Sequence, residues 1–381
     1  MAIYKELVRK ISVPSDKKIK QKAYLKAGSL PVIDQGHSLI GGYTNDITKA
    51  IECDYPVIVF GDHTKCVKFI TFPFAPGADG IKVLQPKEEI LPKYLYYGTQ
   101  YLTFRIVDKG YARHYQHIEK KELTVPSVPE QMRIASKIEE LFSKLDASVA
   151  ELQTAKEKLK VYRQAVLKEA FDPVSKESIL LEDIIEKPRY GTSKKCGYAY
   201  KNGSKAVYRI PNICYQNGSI DHKDIKYADF SDDEIKNLDL MENDLLIIRS
   251  NGSVSLVGRS SIVRAEDCEA TFAGYLIRLR LKKPSDVLSK FLHYFLESHT
   301  ARTYIEHVAK STSGVNNINS NEISNLPVPK CDDFNMQAKI VEKIETNLSI
   351  CDSIEQTIDT SLQQAEALRQ SILKQAFEGG L

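Results

Sequence analysis

The chain contains the same long helical segment twice, separated by a constant offset. The stretch "YRQAVLKEAF" at residues 162–171 returns as "LRQSILKQAF" at residues 368–377. At the same offset Gln131 corresponds to Gln337, and Asp146 corresponds to Asp352. A register kept without a gap over residues 131–171 and 337–377 indicates an internal duplication. Any fold of this chain must therefore accommodate two similar long helices.

Both copies carry the apolar pattern of a coiled coil, in which contact positions alternate in steps of four and three. Prolines precede each copy, and the pattern predicts helices that end at Asp172-Pro173 and at Gly379-Gly380. The predicted contact positions of the first helix are Ile134, Ile138, Leu141, Leu145, Ser148, Leu152, Ala155, Leu159, Tyr162 and Val166. Those of the second are Ile340, Ile344, Asn347, Cys351, Ile354, Ile358, Ser361, Ala365, Leu368 and Ile372.

Each helix needs a partner, and the other copy is a suitable one. The alternation of domain and helix along the chain favours antiparallel pairing within one molecule. The alternative is that both helices dimerise with another molecule. The predicted fold is α/β (α+β), with two globular domains joined by two long helices that pair as an antiparallel coiled coil, in a pseudo-twofold internal repeat. The predicted segments are a first domain at 1–129, a long helix at 130–173, a second domain at 174–330 and a long helix at 331–381.

The two globular segments have the same predicted order of elements. In the first, β-branched runs at 55–61, 66–74 and 80–86 precede a helical stretch at 92–106. In the second, strand-like runs lie at 206–213, 244–263 and 271–283, and one helix is predicted over 284–309. A polar loop and a proline-rich stretch then lead into each long helix. This order is expected of two domains that share a fold and recognise different ligands.

Charge is unevenly distributed along the chain. Residues 1–129 hold 19 Lys and Arg against 13 Asp and Glu, whereas residues 331–381 hold 4 against 9. The basic first segment is compatible either with a polyanionic partner or with an ordinary solvated surface. Seven scattered cysteines without a C-x-x-C pair predict no disulfide framework, and no apolar run reaches membrane-spanning length. A reducing, cytoplasmic location is expected.

Signatures of catalysis do not occur in the sequence. It contains no Walker-type phosphate loop, no G-x-G-x-x-G after a strand, and no zinc-protease or hydrolase motif. The most enzyme-like fragment is "GDHTK" at 61–65, in which Asp62 and His63 would bind a metal in a nuclease. The alternative is a turn at a strand end whose polar side chains contact a ligand. The absence of catalytic motifs favours a binding protein.

Polar loops with nucleic-acid-compatible chemistry follow several predicted strands. Hydroxyl groups and lysines suit phosphate contacts, Arg can fork onto guanine, and Asn can bridge adenine. The stretches "GYARHYQHI" (110–118) and "STSGVNNIN" (311–319) occupy corresponding places before the long helices. The candidate DNA-binding residues are Gln35, His37, Tyr43, Asp62, His63, Thr64, Lys65, Arg113, His114, Tyr115, Thr192, Ser193, Lys194, Lys195, Arg249, Asn251, Ser253, Asn316 and Asn317.

These features together resemble the specificity (S) subunit of type I restriction–modification systems. The twin regions "LTVPSVPEQ…RQAVLKEAF" and "LPVPKC…RQSILKQAF" look like the two conserved helical regions of that family. The stretches at 57–84 and 190–259 look like its target recognition domains. The second helical copy departs from the family in having "DDFN" where a Pro-containing phrase is usual.

The resemblance implies a DNA-binding subunit without catalytic activity of its own. Each recognition domain would read one half of a bipartite DNA sequence, and the helices would set the spacer between the halves. Two methyltransferase subunits, which use S-adenosylmethionine, and restriction subunits, which use ATP and magnesium, would be its partners. No cofactor is expected in this chain. The remaining alternative is a coiled-coil adaptor that does not contact DNA.

Overall fold

In the computed structural model, the described residues are 1–77, 80–106, 113–172, 174, 177–201, 203–312 and 314–380, with the side chains of 310–312 left out. The chain forms two compact units. Unit 1 consists of Met1–Thr154 and Ile358–Leu381, and unit 2 of Ala155–Thr357. Each unit therefore combines one globular lobe with parts of both long helices. The predicted boundaries at 129, 173 and 330 stay a prediction.

The two long helices span Val128–Phe171 and Phe334–Glu378. They end where the sequence predicted, although Pro173 lies outside the described residues. We call residues 1–127 the first lobe and residues 172–333 the second lobe. None of the helices among the described residues combines the length and apolar character that a membrane crossing requires.

The first lobe is built mainly from short strands. Its strands are Ala2–Ile3, Val8–Ile11, Leu30–Ile33, Gly42–Thr44, Val57–Gly61, Val67–Ile70, Ala75–Pro76, Ile81–Pro86 and Glu122–Leu123. Its α-helices are Tyr4–Leu7, Pro92–Phe104 and Tyr115–Ile118, and its 3-10 turns are Ser15–Lys17, Gln21–Ala23 and Ile47–Lys49.

The second lobe contains the same kinds of element and several additional hairpins. Its strands are Ser178–Leu180, Arg189–Tyr190, Lys205–Tyr208, Ile213–Cys214, Ser219–Ile220, Lys226–Ala228, Leu245–Ile248, Ser250–Asn251, Ser260–Ile262, Thr271–Phe272, Leu276–Leu279, Lys310–Thr312, Val315–Asn317 and Pro327–Pro329. Its α-helices are Leu181–Ile184, Asp232–Leu238, Asp286–Glu297, His299–Val308 and Ser320–Ser324, and its 3-10 turns are Ile210–Asn212, Val254–Leu256 and Ala265–Asp267.

Both lobes contain a four-stranded antiparallel sheet with one strand order. The first strand along the chain pairs with the fourth, the fourth with the second, and the second with the third. In order across the sheet, the strands of the first lobe are Val8–Ile11, Ile81–Pro86, Val57–Gly61 and Val67–Ile70. Those of the second are Arg189–Tyr190, Leu276–Leu279, Leu245–Ile248 and Ser260–Ile262.

The three-stranded sheets of the two lobes also correspond. The central strand, Leu30–Ile33 or Lys205–Tyr208, is antiparallel to one neighbour and parallel to the other. Val32 lies opposite Ala75 in the parallel pair of the first lobe, and Val207 lies opposite Thr271 in that of the second. The predicted internal repeat is thus confirmed, and it extends from the helices to the lobes.

The long helices pair antiparallel, as predicted. Within unit 2, Lys156 contacts Glu355 at 3.7 Å, Arg163 contacts Asp352 at 2.7 Å, and Lys343 contacts Glu169 at 2.8 Å. Rising numbers in the first helix thus meet falling numbers in the second. Within unit 1, the start of the first helix shares a core with the end of the second. The pairing predicted within one chain is therefore the one observed.

Three of the twenty predicted contact positions in the helix pair carry large apolar side chains that are exposed instead. Tyr162, Ile354 and Leu368 are 50%, 45% and 51% exposed. Their neighbours Arg163 and Arg369 lie at the interface instead, where Arg163 forms ion pairs with Asp352 and Glu355. Long charged side chains cover an interface with their methylene stems while their heads pair at its edge. A search for apolar residues alone therefore misses these positions.

The repeated phenylalanine of the two copies performs the same task in each unit. In unit 1, Phe377 packs against Tyr94 and Tyr101, with ring centroids 5.0 and 5.3 Å apart. In unit 2, Phe171 packs edge-on against Phe291 and Phe295, at 5.3 and 5.7 Å. Burial of such rings contributes strongly to a core. The repeated phrase is therefore where each long helix joins the core of a unit.

The single helix predicted over 284–309 is wrong, because the structure breaks it at Ser298. The backbone of Ser298 is extended, and its hydroxyl accepts a hydrogen bond from the Ala301 amide at the start of the second helix. A serine side chain competes with the helical backbone for hydrogen bonds and so favours a new N-terminus. The break separates His293 from His299 and His307, which the sequence had placed on one helix.

We expect His293 to make the stability of unit 2 depend on pH. Its ring is buried, Nδ1 lies 2.9 Å from the Ser260 hydroxyl, and burial lowers the pKa of His293 to about 4. Between pH 6.5 and about 4, only the unfolded imidazole takes up a proton, so stability falls as the pH is lowered. We expect urea unfolding of His293→Gln to change less than that of the unmodified chain between pH 7 and pH 5. Equal changes would contradict this.

Candidate functional site

Each lobe has a cleft at the end of its four-stranded sheet. The first cleft, of about 750 Å³, is lined by Lys10, Ile11, Ser12, Val13, Lys18, Asp62, His63, Gly80, Ile81, Lys82 and Arg113. The second cleft, of about 700 Å³, is lined by Tyr190, Gly191, Thr192, Ser193, Lys194, Cys196, Arg209, Ile210, Pro211, Lys226, Arg249, Ala273, Gly274 and Tyr275. Both contain several cationic side chains.

The two clefts occupy equivalent positions in the repeated fold. Asp62 follows the strand Val57–Gly61, and Arg249 follows the strand Leu245–Ile248. The Asp62 amide donates to the carbonyl of Gly80 at 2.6 Å, and its carbonyl accepts from the His114 amide at 2.9 Å. The Arg249 amide likewise donates to Tyr275 at 2.8 Å, and its carbonyl accepts from Ile318 at 3.0 Å. Asp62 and Arg249 are therefore backbone counterparts.

In the first cleft, Asp62 is an internal partner rather than an exposed carboxylate. It is only 3% exposed, and its Oδ1 accepts a hydrogen bond from the Tyr115 amide at 2.9 Å. Its Oδ2 lies 3.4 Å from Nζ of Lys82. Among the described residues, no group of three or more His, Cys, Asp or Glu side chains is arranged to hold a metal ion. Asp62 thus serves the local fold in this geometry, and the nuclease alternative gains no support.

The turn after Asp62 is tied to the loop that carries Gln35. The Gln35 side chain accepts from the His63 amide at 3.3 Å, and the Thr64 hydroxyl donates to the Gln35 carbonyl at 2.6 Å. Lys65 has a left-handed backbone, with φ of 63°. Four predicted DNA-binding residues, Gln35, His63, Thr64 and Lys65, therefore lie together at the edge of the first cleft.

The other predicted residues of the first lobe are distributed differently. His37 is exposed and lies 3.4 Å from the Cys66 sulfur, whereas Tyr43 sits on a strand that pairs with Leu30–Ile33. Arg113 is exposed and lines the cleft, while its neighbours His114 and Tyr115 are buried. Residues 110–112 of the predicted stretch lie outside the described residues.

In the second cleft, Arg249 is held with its guanidinium against an aromatic ring. The guanidinium carbon lies 4.4 Å from the ring centroid of Tyr190, and Nη1 donates to the Gly274 carbonyl at 3.4 Å. The Tyr190 hydroxyl accepts from the Ser320 amide at 2.8 Å. Stacking orients a planar guanidinium and leaves its edge available for a forked contact.

The loop at 192–195 is folded on itself and on an acidic helix. The Lys194 amide donates to the Thr192 hydroxyl at 3.0 Å, and the Lys194 ammonium donates to Glu234 at 2.7 Å. That ammonium holds the pKa of Glu234 below its ordinary value. Ser193 and Lys195 are exposed, and Lys195 does not line the cleft.

Four predicted residues, Asn251, Ser253, Asn316 and Asn317, lie beside the second cleft rather than in it. Asn251 pairs with Asn316, and Ser250 with Asn317, in a small three-stranded sheet. The Asn251 side chain accepts from the Ser253 amide at 2.9 Å. Residue 313 of the predicted stretch, and the side chains of 310–312, lie outside the description.

Sequence reasoning missed five cationic residues of the clefts: Lys10, Lys18 and Lys82 in the first, and Arg209 and Lys226 in the second. Arg209 pairs with Asp224 at 2.7 Å, and the Lys226 ammonium lies 4.7 Å from the Tyr198 ring centroid. A signal for Lys10 and Lys18 was present in the sequence, since residues 9–26 contain seven Lys and Arg against one Asp. Lys82 carried none, because it lies within a strand.

Gly191 is required by the close approach of two backbone segments under the second cleft. A Cβ atom at Gly191 would lie 2.3 Å from the carbonyl oxygens of both Phe272 and Ala273. We expect Gly191→Ala to lower the free energy of unfolding by about 2 kcal/mol, because the segments must separate. Gly197→Ala, with nothing within 4 Å of its Cβ, is the matched control. Equal midpoints in urea unfolding would contradict this assignment.

A comparison with protein families gives one match. The model described as "Type I restriction modification DNA specificity domain" matches residues 173–364, which is half of the chain. The chain belongs to this family. The match covers the second lobe and much of the second long helix, and the repeated fold relates the first lobe to the same pattern.

Relatives and solved structures agree with this family assignment. The specificity subunit of the type I restriction enzyme EcoKI from Escherichia coli (strain K12) is 30% identical over 277 residues, 68% of this chain. The chain spans 57% of that relative's length. The HsdS subunit from Thermoanaerobacter tengcongensis has a TM-score of 0.51 at 16% identity, with 100% of this chain and 96% of that chain covered.

A second solved structure matches the fold over almost its full length. It comes from work on complex assembly and conformational transition of the type I R-M system. The TM-score is 0.70 at 15% identity, and the alignment covers 100% of this chain and 97% of that chain. The two-lobed specificity-subunit fold predicted from the sequence is thereby confirmed.

Proposed function

We propose that this chain is the DNA-binding specificity subunit of a type I restriction–modification complex. In this proposal each lobe binds one half of a bipartite duplex sequence, and the paired helices set the spacer and dock the methyltransferase subunits. The observation that carries the proposal is the repetition of one cation-lined cleft at the same point of two lobes with one strand order. One binding surface used twice suits a target with two halves.

The chemistry of both clefts supports duplex DNA as the ligand. Lysine ammonium and backbone amide groups suit phosphate oxygens, and an oriented Arg suits a guanine edge. The second cleft adds hydroxyl groups of Thr192 and Ser193 and the exposed ring of Tyr275. Contacts to the DNA backbone fix the position of a protein on the duplex, and contacts from a few side chains to the base edges select the sequence.

The structure helps to rank the predicted contact residues. We infer that His63, Arg113, Thr192, Ser193 and Arg249 are the candidates best positioned to contact DNA, because they line the clefts. The buried Asp62, His114 and Tyr115 are the chain neighbours of His63 and Arg113, and the bonds of Asp62 to the His114 and Tyr115 amides hold the two segments together. Lys194 also lines the second cleft, but its ammonium is bound to Glu234 and it ranks lower for that reason. The other predicted residues, on the Gln35 loop, on the strand with Tyr43, at Lys195 and around Asn251 and Asn316, remain candidates at the margins.

Catalysis would belong to the partners in this proposal. Two methyltransferase subunits would supply S-adenosylmethionine chemistry, and restriction subunits would supply ATP- and magnesium-dependent cleavage. The chain itself would bind no cofactor and act in the cytoplasm, where the genomic DNA lies. The predicted segments at 1–129, 130–173, 174–330 and 331–381 are proposed as recognition domain, spacer helix, recognition domain and spacer helix.

Mapping of N6-methyladenine across the genome of the source organism tests the proposal. With the chain present, we expect methylation at a two-part motif with a spacer of constant length. Deletion of its gene should abolish methylation at that motif, and a plasmid copy should restore it. Persistence of the motif in the deletion strain would contradict the proposal.

A further inference from the structure

The backbone counterparts Asp62 and Arg249 carry side chains of opposite charge. Arg249 presents its guanidinium to the second cleft, stacked on Tyr190. Asp62 turns its carboxylate inward, where the Tyr115 amide and the Lys82 ammonium bind it. An acid at this point cannot take over the role of an arginine, so the first cleft requires a different cation.

Lys82 supplies that cation. It lies on the strand Ile81–Pro86 directly opposite Phe60, two residues before Asp62, in the same sheet. Its side chain is 27% exposed and lines the first cleft, and its ammonium lies 3.4 Å from the Asp62 carboxylate. Because the Tyr115 amide binds the other carboxylate oxygen at 2.9 Å, the carboxylate is held in one orientation. Asp62 thus presents an ammonium in the first cleft, as Tyr190 presents a guanidinium in the second.

We propose that Lys82 is the base-reading cation of the first lobe and that Asp62 is its positioning residue. This inference rests on the proposed function. An ammonium donates to the O6 and N7 acceptors of guanine as a point charge, without the planar fork of an arginine. The first half-site should therefore contain a guanine contacted by Lys82, read less stringently than the base contacted by Arg249.

Genome-wide methylation mapping with Lys82 variants in the complete chain tests this assignment. We expect Lys82→Ala to reduce discrimination about tenfold or more at one base of one half-site. The base preferences of the other half-site should stay unchanged. Lys82→Arg should keep the guanine preference, and Lys82→Gln should move it toward adenine, since an amide pairs with adenine. Asp62→Asn should weaken preference at the same base as Lys82→Ala.

Lys20→Ala is the matched control, because Lys20 is exposed in the same lobe and does not line the cleft. It should leave every base preference intact. A uniform loss of methylation with Lys82→Ala, or a loss in the half-site that Arg249 variants affect, would overturn the role given to Lys82 and leave the proposed function standing. If Lys82→Ala failed to assemble, an unaltered motif with Lys82→Gln would overturn it. The absence of a two-part motif with the unmodified chain would overturn the proposed function and this inference together.

Discussion

Asp244→Ala should lower the free energy of unfolding of this chain by about 3–5 kcal/mol, which is the usual cost of removing one partner from a buried ion pair. Asp244 is 1% exposed and precedes the buried strand Leu245–Ile248. Its two carboxylate oxygens accept from Arg280 Nε and Nη2 at 2.9 and 2.8 Å. The substitution would leave the guanidinium with Asp239 as its remaining carboxylate partner.

The same carboxylate also binds the backbone, which adds to the expected loss. Oδ2 of Asp244 accepts from the Met241 amide at 2.8 Å, in the turn before the strand. Hydrogen bonding to Asp244 raises the pKa of Arg280 above its ordinary value. The arginine stays charged when Asp244 is removed, because the ordinary pKa of a guanidinium already lies far above neutral pH. A buried charge that loses one of its partners is far more costly than a lost surface contact.

Urea unfolding followed by circular dichroism measures this effect. Asp244→Asn should fall between the unmodified chain and Asp244→Ala, since the amide keeps the shape but loses the charge. Asp233→Ala is the matched control, because Asp233 is 92% exposed in its pair with Lys236, and surface pairs contribute little. A loss below about 1 kcal/mol for Asp244→Ala would contradict the role given to the buried pair.

Arg249→Ala should relax one base position in one half of the DNA target and leave the other half unchanged. A forked Arg–guanine contact contributes about 1–3 kcal/mol of discrimination, which corresponds to roughly 10- to 100-fold. The stacking on Tyr190 holds the guanidinium in one orientation without a ligand. Methylation mapping with the complete set of subunits provides the measurement.

Two further variants separate base reading from phosphate binding. Arg249→Lys should retain charge but lose the fork, so base discrimination should fall while general affinity persists. Lys195→Ala removes an exposed cation of the same lobe that does not line the cleft, and it should leave base preference intact. If Arg249→Ala weakened all sequences equally, Arg249 would be a phosphate contact instead.

The sequence predicted the helices of this fold better than their contacts. The positions of Ile138, Leu159 and Val166 were recognised, because apolar residues recur there at coiled-coil spacing. The positions of Arg163 and Arg369 were not, since ion pairs across the interface follow no apolar pattern. The break at Ser298 was also missed, because the apolar periodicity on either side continues through it.

The equivalence of the lobes was only partly accessible to sequence reasoning. The order of strands and helices was recognised, but Asp62 and Arg249 share no chemistry that would align them. Their correspondence depends on hydrogen bonds between segments far apart in the chain, which only the folded structure brings together. Lys82 was missed for a related reason, since a lysine inside a strand gives no local sign that it lines a cleft.

The matched hydrogen bonds around Asp62 and Arg249 involve main-chain atoms alone. Every amino acid except proline has the same main-chain donor and acceptor, so a point mutation there to any other residue leaves the groups that form those bonds in place. Descendants of one duplicated gene could therefore acquire new sequence preferences in either half, one codon at a time, while inheriting an unaltered scaffold.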